Sequence, residues 1–132
     1  MITGLGTDII EISRMKKALK NPRFLQRVFT KAEQAYCNRR GEAAAASYAA
    51  RWAAKEAVLK AFGTGLREGT LQDIEILPDA LGCPQVRLSG YFAHLAHQRG
   101  LDLQLISLSH AKEYAIAQCI LGRNSNENSN CQ

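Results

Sequence analysis

A chain of 132 residues, 46% of them hydrophobic, is long enough for one domain with a buried core, and no apolar run in it nears the roughly 20 residues needed to span a bilayer. The N-terminus has no basic segment followed by an apolar run, so no secretory leader is expected and the cytoplasm is the expected compartment. The net charge of +5 calls for an acidic partner, whether a nucleic acid, a phosphorylated ligand or an acidic protein.

The first element expected is a strand with a tight loop or turn over residues 2–12, rich in isoleucine, with Gly4 and Gly6 marking a bulge or a close approach of another backbone. Asp8 is an acid among apolar neighbours. It either faces solvent on an edge, caps the next helix, or is buried with a partner charge or a metal, since an unpaired buried carboxylate is costly. Ser13 is a candidate cap for a short helix to Leu19, which Asn21-Pro22 would end. That helix and its sequel carry Arg14, Lys16, Lys17, Lys20, Arg23 and Arg27, interleaved with Met15, Leu19, Phe24, Leu25, Val28 and Phe29. Such a pattern suits either a solvated face or the docking of an acidic amphipathic helix. Thr30-Lys-Ala-Glu33 is a capping box opening a helix to about Arg40, closed by Gly41.

A long central helix is expected from about Glu42 to Phe62, dominated by strong helix formers and ended by the glycines at 63 and 65. At about 100° per residue, Ala53, Ala54, Ala57, Val58, Ala61 and Phe62 form a broad apolar arc. Glu56 and Lys60 stand one turn apart on another side, and Arg51 and Lys55 form a second pair of the same spacing. The simplest reading of Glu56 and Lys60 is a surface salt bridge. The small alanines also let neighbouring backbone come close, which would place that pair at the wall of a cleft.

Beyond Gly69 the pattern alternates. Strands are expected at 71–77 and 84–88, joined by a turn over Pro78–Cys83, then a helix over about 90–99 capped by Ser89 and closed by Gly100, then strands at 101–109 and 114–121. His110 falls in the turn between the last two. Residues 123–132 form a polar tail with no apolar anchor except Cys131 and are expected to be disordered. The cysteines at 37, 83, 119 and 131 share no ligand spacing suited to zinc, and without export they are expected as free thiols. The order of elements gives an α+β fold, a small, mostly antiparallel sheet packed on a long central helix, in a single domain over 1–122.

If the first strand lies beside the central helix, Asp8 and Glu56 come together. Two carboxylates with open water positions are a typical magnesium site, because Mg²⁺ keeps several waters and takes one or two carboxylates plus substrate phosphate. Lys60 would then reach a phosphate oxygen or a leaving group, with His110, Arg51 and Lys55 adding positive charge. This is equipment for phosphoryl-type transfer. No Walker A or dinucleotide fingerprint is present.

Gly4-Leu-Gly-Thr-Asp-Ile-Ile-Glu11 and Arg51-Trp-Ala-Ala-Lys-Glu-Ala-Val-Leu-Lys-Ala-Phe-Gly-Thr-Gly65 resemble the two signature motifs of the 4′-phosphopantetheinyl transferases. Gln72-Asp-Ile-Glu-Ile76 and Ser107-Leu-Ser-His-Ala-Lys-Glu-Tyr-Ala115 resemble the small holo-[acyl-carrier-protein] synthase branch in order and spacing, so the likeness spans residues 2 to 121. The resemblance implies transfer of 4′-phosphopantetheine from coenzyme A to a serine of apo-acyl carrier protein, with adenosine 3′,5′-bisphosphate as the other product and fatty acid biosynthesis as the setting. By motif, it implies that Asp8 and Glu56 hold Mg²⁺, with Glu11 a more distant support, and that Lys60 stabilises the leaving group or relays a proton. Arg51, Gly63 and His110 would belong to the coenzyme A site. Arg14, Arg23, Phe24 and Arg27 would dock the carrier protein. A homotrimer with active sites between subunits is implied as well. The residue after the histidine, often Ser, Thr or an acid in this family, is Ala111 here, which removes a side-chain contact to phosphate. The general base is left open between Glu56 acting through a water and a water held by the metal. Two other readings stand beside this one: a noncatalytic basic domain gripping RNA or an acidic protein, and a metal-dependent phosphohydrolase. The few aromatics and the lack of a ribonucleoprotein signature count against RNA.

Overall fold

The computed structural model describes residues 1–124. The expectations for Cys131 and for most of the polar tail lie outside the described residues. The first two tail positions are held by hydrogen bonds: Arg123 and Met1 exchange backbone bonds, and the Asn124 amide donates to Asp102 at 2.7 Å.

Ten elements follow the expected order: β1 (Ile2–Glu11), α1 (Ile12–Ala18), α2 (Pro22–Val28), α3 (Lys31–Asn38), α4 (Ala44–Phe62), β2 (Ile74–Pro78), β3 (Pro84–Leu88), α5 (Gly90–Arg99), β4 (Leu103–His110) and β5 (Tyr114–Gly122). Short 3₁₀ turns at Gly41–Ala43 and Leu71–Asp73 take residues assigned above to the start of the central helix and of the strand expected at 71–77. The β-strands form two antiparallel pieces rather than one sheet, a three-stranded sheet in the order β1-β5-β4 and the β2-β3 hairpin.

Several local expectations change. β1 is one extended strand without an internal turn, its register with β5 shifting only between Ile2 and Gly4. Ser13 and Ser89 make no side-chain cap. Asn21-Pro22 does not merely end a helix. Asn21 accepts from the Arg23 amide and Pro22 opens α2, where a missing N–H costs nothing. The Thr30–Glu33 capping box forms as expected.

The packing of β1 on α4 follows from small residues. A side-chain carbon built on Gly4 would strike the backbone carbonyl of Ala61, and one on Gly6 would strike that of Ala57. Gly4, Gly6 and Asp8 share one face of β1. Two strand residues advance roughly 6.6 Å and one helical turn roughly 5.4 Å, so successive residues of that face meet successive turns of α4. The glycines set the depth of contact, and Asp8 inherits it.

Two apolar cores flank α4. Its C-terminal half packs with Ile74, Ile76, Phe92, Ala117, Cys119 and Leu121, and its N-terminal half with Met15, Val28, Phe29 and Cys37. Burying an aromatic such as Phe29 or Phe92 contributes about 1.5–3 kcal/mol each. The expected arc is buried, with Ala61 only half so, but α4 is enclosed further round than the arc predicts, because Arg51 and Lys55 are buried too.

Candidate active site

β1 and α4 bring three of the expected site residues together. Lys60 Nζ donates to the Thr7 carbonyl at 3.0 Å and to Asp8 Oδ1 at 3.1 Å. The ion pair of Lys60 is thus with Asp8 across the strand–helix contact, and the Glu56–Lys60 surface bridge of the simplest reading is not formed. The Lys60 side chain is 57% exposed and that of Asp8 18%, so the lysine lies over an acid that the fold has sunk between strand and helix. The long Lys60 side chain reaches back along the strand because Gly4 and Gly6 hold β1 tight against α4.

Glu56 lies half-buried beside them. Burial pushes its carboxyl above the ordinary range, the like charge of Asp8 pushes it further, and Lys60 pulls it back in part. Two carboxylates therefore share one region with one lysine. Charge repulsion of this kind favours a cation that both acids can hold. Among the described residues no group of three or more His, Cys, Asp or Glu side chains could hold a metal. A cation at this pair would depend on water and on oxygens of a bound substrate, which is the habit of Mg²⁺ and not of zinc.

Two hollows meet this pair. One, of about 310 Å³, is lined by Asp8, Ile9, Ile10, Arg14, Met15, Ala18, Phe24 and Trp52. The other, of about 360 Å³, is lined by Glu56, Leu59, Lys60, Gly63 and Gly65. Gly63 ends α4 at φ 78°, the left-handed conformation that closes helices, and turns the chain away so that the hollow stays open.

The residues expected to dock a carrier protein divide between two places. Arg14 and Phe24 line the Asp8 hollow, with the Phe24 ring tilted against Trp52 at 5.6 Å. Arg23 and Arg27 lie with Pro22 and Gln26 on a shallower part of α2. Trp52, part of the Arg51–Gly65 motif but not singled out above as a site residue, is also a wall of the hollow, and its i, i+4 spacing from Glu56 is the signal in the sequence that could have found it.

Three expected cations lie elsewhere. Arg51 is buried, with Nη1 donating to the Ser47 carbonyl at 3.3 Å and the guanidinium 4.5 Å from the centre of the Tyr36 ring. Its Nε, also buried, has no hydrogen-bond partner among the described residues. His110 is the last residue of β4 instead of part of a turn, exposed, with Nδ1 3.4 Å from the Ala111 carbonyl. Neither lines the two hollows of this chain. The third is a correction. Lys55 does not add charge to the site, because its side chain is fully buried on another face of α4, paired with Glu33 at 2.8 Å. Periodicity offered no signal for this, since nothing in the spacing of Lys55 separates a core lysine from a surface one.

The comparisons with known proteins agree with this geometry. The sequence pattern of the 4′-phosphopantetheinyl transferase superfamily matches residues 4–119. A holo-[acyl-carrier-protein] synthase of Ruminiclostridium cellulolyticum is 48% identical over 120 residues, covering 89% of this chain and 90% of that protein. Among solved structures, the synthase of Neisseria meningitidis superposes with a TM-score of 0.85 at 31% identity, covering 93% of this chain and 100% of that one. That of Bacillus anthracis, solved in complex with CoA (3′,5′-ADP), superposes with a TM-score of 0.79 at 36% identity over 94% and 99%. With the paired motifs meeting at the β1–α4 contact and the match running through nearly all of the folded chain, this protein belongs to the 4′-phosphopantetheinyl transferase superfamily.

Proposed function

We propose that this chain transfers the 4′-phosphopantetheine group of coenzyme A to a serine hydroxyl of apo-acyl carrier protein, with Mg²⁺ held by Asp8 and Glu56. The observation that carries the reading is the place of that acid pair, between a glycine-walled hollow on one side and an arginine- and aromatic-walled hollow on the other. The reaction needs this arrangement, since a phosphate donor and a protein acceptor must meet at one phosphorus atom.

The glycine-walled hollow takes the pyrophosphate end of coenzyme A, where Gly63 presents backbone without a side chain in the way. Magnesium, when bound, neutralises charge on the pyrophosphate and on its departing portion. Lys60 stands at the same point and, released from Asp8, donates to a phosphate oxygen as charge builds on the leaving group. Glu56, whose carboxyl is held above the ordinary range by burial and by Asp8, is suited to take the serine proton through a water. The serine oxygen forms a bond to the phosphorus next to the pantetheine, the bridging P–O bond breaks, and adenosine 3′,5′-bisphosphate leaves. Arg14 and Phe24 offer the acceptor a cation beside an aromatic wall, and Arg23 and Arg27 extend that positive surface along α2, so an acidic carrier is steered to the site.

The reading includes a homotrimer. Its support is the open face of the three-stranded sheet, where Leu5, Ile9 and Leu105 are 66%, 60% and 51% exposed and register places Ile120 between Leu5 and Leu105. An apolar row of this kind on a sheet face suits a neighbouring copy. His110, exposed and outside the hollows of its own chain, would reach the coenzyme A of an adjoining subunit, whereas Arg51, buried against Tyr36, would act only by holding α4. The reading also sets the protein in the cytoplasm, in fatty acid biosynthesis. No helix of the described residues is long and apolar enough to cross a membrane.

Intact-mass spectrometry of an apo-acyl carrier protein incubated with this protein and coenzyme A, with Mg²⁺ or with EDTA, tests the whole. A gain of one phosphopantetheine only with metal is expected. No gain with several acidic carriers would overturn the transfer, and phosphopantetheine released to water would replace it with a hydrolase.

A further inference from the structure

The buried lysine of α4 remains outside the reaction described so far. Lys55 Nζ pairs with Glu33 Oε1 at 2.8 Å and donates to the carbonyls of Leu71 at 2.9 Å and Ile74 at 2.5 Å. An ammonium has three donors, and each here has its own acceptor. Glu33 is equally occupied, since Oε1 accepts from the Thr30 amide at 2.9 Å and Oε2 from the Ile76 amide at 2.8 Å. Both side chains are fully buried. Apolar residues of similar volume often stabilise such a site as well as an ion pair does, so stability alone does not call for this pair.

What the pair joins is informative. Residues 63–70 leave the end of α4 at the glycine-walled hollow and rejoin the fold at Leu71–Asp73. Lys55 belongs to α4 and bonds Leu71, so one side chain ties the helix that begins the loop to the residue where the loop ends. Lys55 also directly precedes Glu56. Neighbouring helical residues point about 100° apart, so holding Lys55 toward β2 fixes the turn of α4 that presents Glu56 toward β1.

We propose that Lys55 is a positioning residue for the transfer reaction, setting the roll of α4 under Glu56 and the far anchor of the 63–70 loop, and through them the shape of the hollow. The proposal rests on that hollow receiving coenzyme A. A purely structural lysine would be replaceable by any pair that restores folding, whereas a positioning lysine would not be.

The test compares thermal stability with steady-state kinetics in three variants of the full chain. Lys55→Met alone should lose stability because it leaves Glu33 charged and unpaired. Glu33→Met/Lys55→Met, which removes the stranded charge but leaves the Leu71 and Ile74 carbonyls and the Thr30 and Ile76 amides without these partners, should recover part of the lost melting temperature yet keep KM for coenzyme A raised about tenfold, with KM for carrier protein within about twofold of the parent. Glu33→Gln, which leaves Lys55 bonded to both carbonyls, should lower stability with KM for coenzyme A nearly unchanged. If the double methionine variant does not fold, Glu33→Gln/Lys55→Gln takes its place, because its amides can bond each other but are too short to reach both carbonyls. A folded double variant with the parent KM for coenzyme A would overturn the positioning role, as would a rise in that KM for Glu33→Gln equal to the double variant's. Lys60→Met, run in parallel, separates the two readings. Parent kinetics there would remove the placement of coenzyme A and this proposal with it, while an impaired Lys60→Met beside a double variant of parent KM would remove this proposal alone.

Discussion

Two lysines on one helix, five residues apart, each pair with an acid, and the pairs have opposite characters. Lys55 and Glu33 are sealed from solvent, with every donor of the lysine matched. Lys60 and Asp8 meet at 3.1 Å with the ammonium largely in water and the acid beneath it. The first pair spends its charge inside the fold, where three elements depend on it. The second keeps its charge at a surface where a phosphate can compete for it. Ion pairing alone therefore does not mark a site. What marks it is a charge that the fold has brought close, left accessible, and crowded with a second acid, Glu56.

Removing the crowded acids should have the largest effect. Asp8→Ala and Glu56→Ala should each lower turnover by at least about a thousandfold, with melting temperatures close to the parent's, because neither side chain anchors the core. Near-parent turnover in either would end the metal reading. Exchanging the fates of the two lysines comes next. Lys55→Met should cost about 3–5 kcal/mol of stability by stranding a buried charge, and Lys60→Met at most about 1 kcal/mol while lowering kcat. Chemical denaturation read beside kinetics would reveal any other ordering.

Arg14 sharpens the contrast at the docking side. Arg14→Glu should raise KM for carrier protein by about tenfold and KM for coenzyme A far less. Equal increases would detach the Asp8 hollow from the carrier protein. A smaller effect is expected from pH. Glu56 binds its proton more tightly in the folded chain than in the unfolded one, so charging it costs stability as pH rises above the ordinary carboxyl value. In EDTA, Glu56→Gln should melt higher than the parent at neutral pH, and the difference should close as pH falls toward about 4.5, the ordinary value. A difference independent of pH would contradict the raised carboxyl. The smallest effect is at Arg67, which lies in the 63–70 loop with φ 52°, a conformation easier for glycine. Arg67→Gly should leave stability within about 1 kcal/mol of the parent, relief of strain offsetting the added freedom of the unfolded chain.

Much of the molecule was legible in its residues. The capping box at Thr30, the stop at Gly63 and the alternation after Leu71 work through neighbours within a few positions, and local geometry follows from local chemistry. The hairpin and the last two strands were placed to within a few residues for the same reason. The errors occurred where a distant partner decides. Asn21-Pro22 ends one helix and begins another because α2 packs Phe24 against Phe29 and Trp52. Lys55 went to the core because Glu33 and two carbonyls awaited it there. Lys60 turned to Asp8 and away from Glu56 because β1 lies against its helix.

Residue type and spacing are enough for most of the helical and extended stretches, for the two motifs that place this chain in its superfamily, and for naming Asp8, Glu56 and Lys60 as candidates. Periodicity, capping and residue type act over short range, so they can be read along the chain. Tertiary structure alone decided which charges are sealed and which stay reachable. Burial depends on what packs around a side chain, and that packing joins Gly4 and Gly6 to Ala61 and Ala57, more than fifty residues away along the chain.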